Sequence, residues 1–401
     1  MTVPTGRTST GLERDQLTRA GYLVLANCGW YLYCFGALLP QLGRDQGISR
    51  TVTGLHSVMM AVGTLLAGVF AVALVRAFRR RGVLQLGGAL LITGCLLLAA
   101  GGAWTPVTLV ATLIAGAGGS LLVNTVNPML SDHHGERGAS VLAEGNAVSA
   151  ASGLVAPLLV GAGVAAGLSW RPAVLLTVPL VLAMLVLVRR SPRPAPALDD
   201  QLPPRQGRSA SLPPAFWPAA AMLVVCIGVE FCLANWAAEL LREQVGFSAG
   251  AAAAGVSAVV AGMTLGRLAT GRAALRHSPR RLLLLALLVS LIGWAGFWLA
   301  TSGWVALLGL FVTGLGVGAH YPLGATIVFA AVPGQQDQAA GLLSIGVGVA
   351  AGGGPFALGA LADAFSTHLA FLVVPVLLLL AVGLLGQSAR MNRSRRTSIP
   401  V

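Results

Sequence analysis

The chain has 401 residues, 56% of them hydrophobic and 10% charged, with a mean hydropathy of +0.80. One water-soluble core cannot absorb that much apolar surface and still leave enough polar surface outside, so a soluble globular protein is excluded. The net charge of +13 does not indicate nucleic acid, because every basic residue is an arginine and nearly all lie between apolar runs.

A helix needs about 20 apolar residues to cross the roughly 30 Å hydrocarbon layer. Runs of that kind predict spans at 20–42, 51–75, 82–101, 106–130, 141–166, 171–188, 216–241, 249–272, 282–301, 304–331, 339–362 and 369–388. Lipid cannot satisfy free backbone groups, and the runs lack the period-two alternation of barrel strands, so they are read as helices. The expected class is an all-α membrane protein of twelve transmembrane helices in two six-helix pseudo-repeats.

Residues 1–19 form a polar N-terminal tail, and the first run ends at Pro40 and Gln41 without a small-residue cleavage pattern, so a retained helix and no signal peptide are expected. Asn27, Trp30, Tyr31 and Cys34 share a face of span one, where an aromatic ring could stack on a flat solute or pack between helices. Ser120, Asn124, Asn127 and Ser131 follow at i, i+4, i+7 and i+11, drawing a polar stripe down span four that lines a cavity or hydrogen-bonds helices together. Glu144 and Asn146 open span five, as a gate contact or a solvated helix start.

The N-terminal bundle, 20–188, then gives way to a Pro/Arg-rich linker at 189–215, which holds Pro192, Pro194, Pro196, Pro203, Pro204, Pro213 and Pro214. The second bundle, 216–388, carries Glu230 in its first span. Fourteen residues past Phe216, at about 1.5 Å per residue, puts it about 21 Å along the helix. An ionised group at that depth costs about 2.5–3.5 kcal/mol, so Glu230 is either a proton-coupling carboxyl or a structural one bonded to a neighbouring helix. On its own face, Ala234 and Ala237 are small enough to leave room for a ligand. Arg267, five residues from the end of span eight, is a gating or counter-ion candidate, or a snorkelling side chain. In span ten, His320 and Tyr321 follow Gly314, Gly316 and Gly318. His320 is a candidate to share protons with Glu230, or a neutral histidine satisfied by its neighbours, and Tyr321 is a substrate-contact candidate. Residues 389–401 form a basic tail.

Of the 26 arginines, Arg44, Arg50, Arg171 and Arg242 fall on one side of the predicted spans and Arg267 inside one; the other 21 fall on the side of the termini. Positive charge collects on the cytoplasmic side, so both termini are expected in the cytoplasm and the chain in a plasma-type membrane. Glu239, Glu243 and Asp363 are expected in outer water and Asp337 in inner water. All five cysteines lie within apolar runs with no CxxC spacing, so no disulfide framework, metal site or cofactor is expected.

The halves echo each other. Gly116-Ala117-Gly118 is matched by Gly314-Leu315-Gly316 and the Pro157–Gly161 run by Pro355–Gly359; 314 − 116 and 355 − 157 both give 198. Arg80-Arg81 and Arg280-Arg281 close equivalent loops.

Twelve spans, a central linker and basic loops after spans two and eight resemble the major facilitator superfamily over the whole chain. The family's loop signature corresponds to Leu74–Gly82, with arginine where an aspartate is usual. Asn127-Pro128, the Gly-Val-Glu-Phe of 228–231 and the Gly262–Arg267 run resemble the fucose-permease-like sugar/proton symporters. That group implies an acidic residue in span one and another before the Asn-Pro step, whereas span one here has neither Asp nor Glu and the second position is Val123. The Gly153–Pro157 run is similar to the fifth-span signature of drug/proton antiporters, with alanine for the glycine before the proline.

The resemblance implies a secondary transporter, not an enzyme, whose partners are a small solute, a proton or other coupling ion and the bilayer, acting as a monomer with no nucleic acid. The sequence agrees: it has no GxxxxGK[ST] phosphate loop, no HExxH and no GxSxG, so energy is expected from a gradient. Proton-coupled movement of a sugar-like or other polar metabolite is the leading expectation and proton-driven efflux of drug-like compounds the alternative. A non-transporting sensor is a remote third, since an output domain would be expected with it.

Overall fold

In the computed structural model, residues 14–191 and 211–397 are described. Most linker prolines, and the outer parts of both tails, lie outside the described residues, as does the side chain of Asp337.

The helices are α1 (Gln16–Gln46), α2 (Arg50–Ala100), α3 (Thr105–His134), α4 (Gly138–Ala165), α5 (Arg171–Leu175), α6 (Thr177–Arg190), α7 (Phe216–Val245), α8 (Ala249–Ala273), α9 (Pro279–Trp298), α10 (Gly303–Ala330), α11 (Gln336–Ala364), α12 (Thr367–Ala370) and α13 (Val373–Thr397). Among the described residues, eleven stretches are long and apolar enough to cross a membrane. One of them, α2, has 51 residues, about 76 Å of helix or more than twice the hydrocarbon thickness, and leaves helical geometry at Arg79 (φ 58°, ψ 164°). It therefore serves as two spans. The sequence suggests a loop from Arg76 to Arg81; the structure replaces it with this one-residue bend. Span six is α5 plus α6 and span twelve is α12 plus α13, which brings the crossings to twelve and returns the chain to the face where it began.

The duplication is visible in atomic detail. Gly47 and Gly246 end α1 and α7 in the left-handed conformation (φ 62° and 71°), which a β-carbon would strain. Two residues on, Ser49 and Ser248 cap α2 and α8, each accepting from the third amide along at 3.2 Å. Gly116 lies against the Met60 carbonyl in α2, and Gly314 against the Val259 carbonyl in α8. The paired glycines of the sequence thus mark where two helices in each half approach too closely for any side chain. Each half keeps its own apolar core. One runs from Leu17 to Val188 and borrows Ala253; the other runs from Leu212 to Leu385 and borrows Tyr33.

Candidate functional site

Between the halves lies a cavity of about 1090 Å³. Its N-terminal wall includes Tyr31, Thr64, Ser120 and Asn124, and its C-terminal wall includes Phe231, Tyr321, Phe329 and Ser344. Thr64 to Ala71 and Ala340 to Ile345 sit in the halves of α2 and α11 nearer the termini, so the cavity opens toward the terminus-bearing face. Among the described residues, no charged side chain lines it. A polar cluster stands on the N-terminal wall: Asn124 Nδ2 donates to Ser120 Oγ at 3.1 Å, and Ser120 Oγ to the Thr64 carbonyl at 3.1 Å.

At the opposite face the halves are clamped. Gly161 meets the Gly250 carbonyl (α4 on α8) and Gly359 meets the Arg50 carbonyl (α11 on α2), the same contact in pseudo-symmetric copy. Gln41 Nε2 donates to the Ala249 carbonyl at 3.0 Å and Ser257 Oγ to the Leu154 carbonyl at 2.9 Å. Arg44 pairs with Glu239 at 2.5 Å, and Arg50 pairs with Glu243 and reaches Glu239 and Asp363 at 4.0 Å. Asp363 accepts from the Arg50 and Thr51 amides at 3.0 and 2.7 Å, stapling the start of α2 to the end of α11. The expectation that Glu239, Glu243 and Asp363 are solvated surface needs correction for Glu239, which is only 7% exposed, and all three carboxylates are ion-paired. Sequence reasoning missed this clamp. Its signal was present: Arg44 and Arg50 break an otherwise sparsely charged face.

Glu230 occupies mid-helix between α1, α7 and α8. Tyr33 of α1 donates to Glu230 Oε1 at 3.3 Å, Arg267 Nη2 lies 3.6 Å from the same oxygen, and the Tyr33 hydroxyl also faces Met263 Sδ at 3.8 Å. The Glu230 side chain is 11% exposed and that of Arg267 41%, so the carboxylate is enclosed while its partner reaches outward. Tyr33 belongs to the first half and the other three residues to the second. The room expected beside Glu230 is absent: Gly36 of α1 packs on the Ala234 carbonyl, and Ala237 is fully buried.

The other sequence candidates divide. Tyr31, Asn124 and Tyr321 line the cavity. Asn27 instead donates to the Leu23 and Leu180 carbonyls at 2.8 and 3.4 Å, joining α1 to α6, and Trp30 is buried in the first core. Asn127 is half-buried off the cavity wall. His320 is 1% exposed, with Nε2 3.2 Å from Ser290 Oγ of α9, and no hydrogen bond or ion pair joins it to Glu230 among the described residues. Glu144 binds Arg14 (both contacts 3.0 Å) and Tyr22 (2.8 Å) within the first half, and among the described residues it makes no bond across the halves.

The sequence profile of the Major Facilitator Superfamily matches residues 22–260 and again 230–398. The chain belongs to that superfamily. Solved superfamily structures superpose over nearly its whole length. A bacterial homolog of the human lysosomal transporter Spinster, inward-facing and occupied, gives a TM-score of 0.71 at 16% identity, covering 95% of this chain and 98% of that one. The xylose transporter XylE from E. coli, in a partially occluded inward-open conformation, gives 0.72 at 13%, covering 91% and 95%. The E. coli fucose:proton symporter FucP (N162A) gives 0.62 at 16%, covering 93% and 97%. No curated protein matches the chain in sequence.

For this superfamily member the cavity supplies its own reporter. Cys28 lines it, whereas Cys34, Cys95, Cys226 and Cys232 are buried. A hydrophilic maleimide applied to the terminus-bearing face is expected to modify Cys28 alone, read by intact-protein mass spectrometry. Comparable labelling of the buried four would contradict a cavity open on that side.

Proposed function

We propose that this superfamily member is a proton-coupled secondary transporter that carries an uncharged, largely apolar solute by alternating access. The observation that carries this reading is the large cavity, walled by both halves, with no charged lining residue among the described ones and few polar groups, chiefly the cluster of Thr64, Ser120 and Asn124. A charged solute entering it would lose hydration without gaining a counter-charge, a cost of several kcal/mol, whereas an apolar body with one or two hydrogen-bonding groups would be matched at both ends. The 21 arginines on the terminus side support cytoplasmic termini, in which case the cavity opens inward. Glu230 is the coupling candidate. Protonation would cancel its pairing with Arg267 and weaken its hold on Tyr33, a contact that crosses the halves and must change when they rock.

Sugar-like metabolites are the second reading, favoured by the Asn124–Ser120 cluster. A thermal-shift panel on purified protein separates the two. Uncharged aromatic or aliphatic compounds are expected to raise the melting temperature and sugars to leave it unchanged; the reverse order favours the second reading. Asn124→Ala is expected to weaken the best ligand about 5- to 10-fold, the worth of one hydrogen bond of about 1–1.4 kcal/mol, with normal membrane insertion. An unchanged affinity would remove Asn124 from the site.

A further inference from the structure

At the terminus-bearing face, away from the cavity, two helix ends bring together three side chains that transport does not use. Asp15 caps α1: its Oδ1 accepts from the Thr18 amide at 2.8 Å and the Thr18 hydroxyl at 2.7 Å. Its other oxygen, Oδ2, lies 2.8 Å from His133 Nε2 at the end of α3. The next residue, His134, turns its own Nε2 to the Thr18 hydroxyl at 2.7 Å, with the two imidazoles edge to face at 4.8 Å between centroids. His133 thus meets the carboxylate directly, and His134 meets the Thr18 hydroxyl that the same carboxylate holds. We propose that Asp15, His133 and His134 form a binding site for one zinc-like divalent transition-metal ion.

The donor set is right for such an ion. Two imidazoles and a carboxylate suit Zn2+, Co2+ or Ni2+ and are poor for Mg2+ or Ca2+, which prefer oxygen cages. The three ligand atoms lie within 4.8 Å of one another. Metal bonds of about 2.0–2.1 Å in tetrahedral geometry place ligands about 3.4 Å apart, so closure needs side-chain movements of about 1 Å. Asp15 and His133 are each more than a third exposed, which leaves the fourth position open to water and gives the ion a route in. Neighbouring charges are already committed: Arg14 to Glu144 at 3.0 Å and Asp132 to Arg80 at 2.7 Å. Thr18 holds Asp15 Oδ1 and so leaves Oδ2 for the ion, while its contact with His134 Nε2 is exchanged for the metal bond.

The inference does not depend on the transport reading, since the ligands belong to one half and none lines the cavity. It is tested on the full chain in detergent, with any affinity tag removed and stripped by chelator, by calorimetric titration with ZnCl2. One ion is expected per chain, with a higher melting temperature on binding. His133→Ala and His134→Ala are each expected to weaken binding at least ~10-fold while melting normally without metal, and His277→Ala is expected to change nothing. A plain Asp15–His133 ion pair needs no help from His134. Binding unaffected by His134→Ala, or no saturable binding by the parent chain, would overturn the proposal.

Discussion

Replacing Glu230 by glutamine is expected to abolish proton-driven concentrative transport while leaving solute counterflow across proteoliposomes largely intact. A proton moving down 100 mV supplies about 2.3 kcal/mol, enough for a roughly 50-fold concentration ratio of a solute coupled to it one to one. In Glu230→Gln that ratio should fall to about one, because the amide can still accept from Tyr33 but cannot take up and release a proton. Counterflow needs only that the halves rock with solute bound, and so should persist. Folding should be little affected, since the Arg267 side chain is 41% exposed and near the end of its span, where it can reach water when its partner loses charge. A variant that still concentrates solute in response to a pH gradient would exclude Glu230 from coupling.

The second large effect is expected at the clamp. Glu239 is nearly buried and lies between Arg44 and Arg50, so neutralising it leaves two arginines of the first half without their shared partner in the second. Removing one member of a fully buried pair costs about 3–5 kcal/mol, and the partial exposure of both arginines discounts this to about 2 kcal/mol. Glu239→Gln should therefore move the balance between the two conformations roughly 30-fold toward opening at the opposite face. Cys28 reports the shift: its labelling by an impermeant maleimide from that face should rise, and from the terminus-bearing face fall. Arg14→Ala is the contrast. It breaks the exposed pair with Glu144, which lies within one half, and should move neither rate. Equal labelling in Glu239→Gln and the parent chain would mean that the clamp is ornament and that packing alone, Gly161 on Gly250 and Gly359 on Arg50, closes that face.

Tyr33 shows why the candidate site could be read only in part. Nothing in its neighbourhood along the chain distinguishes it from Tyr31, yet Tyr31 faces the cavity and Tyr33, two residues on, reaches Glu230. Helical periodicity assigns residues to faces of one helix; it does not say which face meets which neighbour. The same limit separates Asn124, on the cavity wall, from Asn127, three residues further and off it. It separates His320 from Tyr321 as well: one is directed to Ser290 and the other to the cavity. The metal-site candidate was beyond sequence reading, since Asp15 and His133 are 118 residues apart and no local spacing joins them.

What the amino-acid sequence determined by itself is the part governed by solvent and repetition. Apolar run length against bilayer thickness dictated the crossings, the offset of 198 dictated two like halves, and the paired glycines dictated where helices touch, because each of these is a property of one segment or of its copy. The direction in which the cavity opens, the clamp of Arg44 and Arg50 on Glu239, Glu243 and Asp363, and the company of Glu230 were decided only by tertiary structure. Each depends on groups some 200 to 300 residues apart meeting across the two bundles, and a chain read in one dimension carries the charges but not the distances between them.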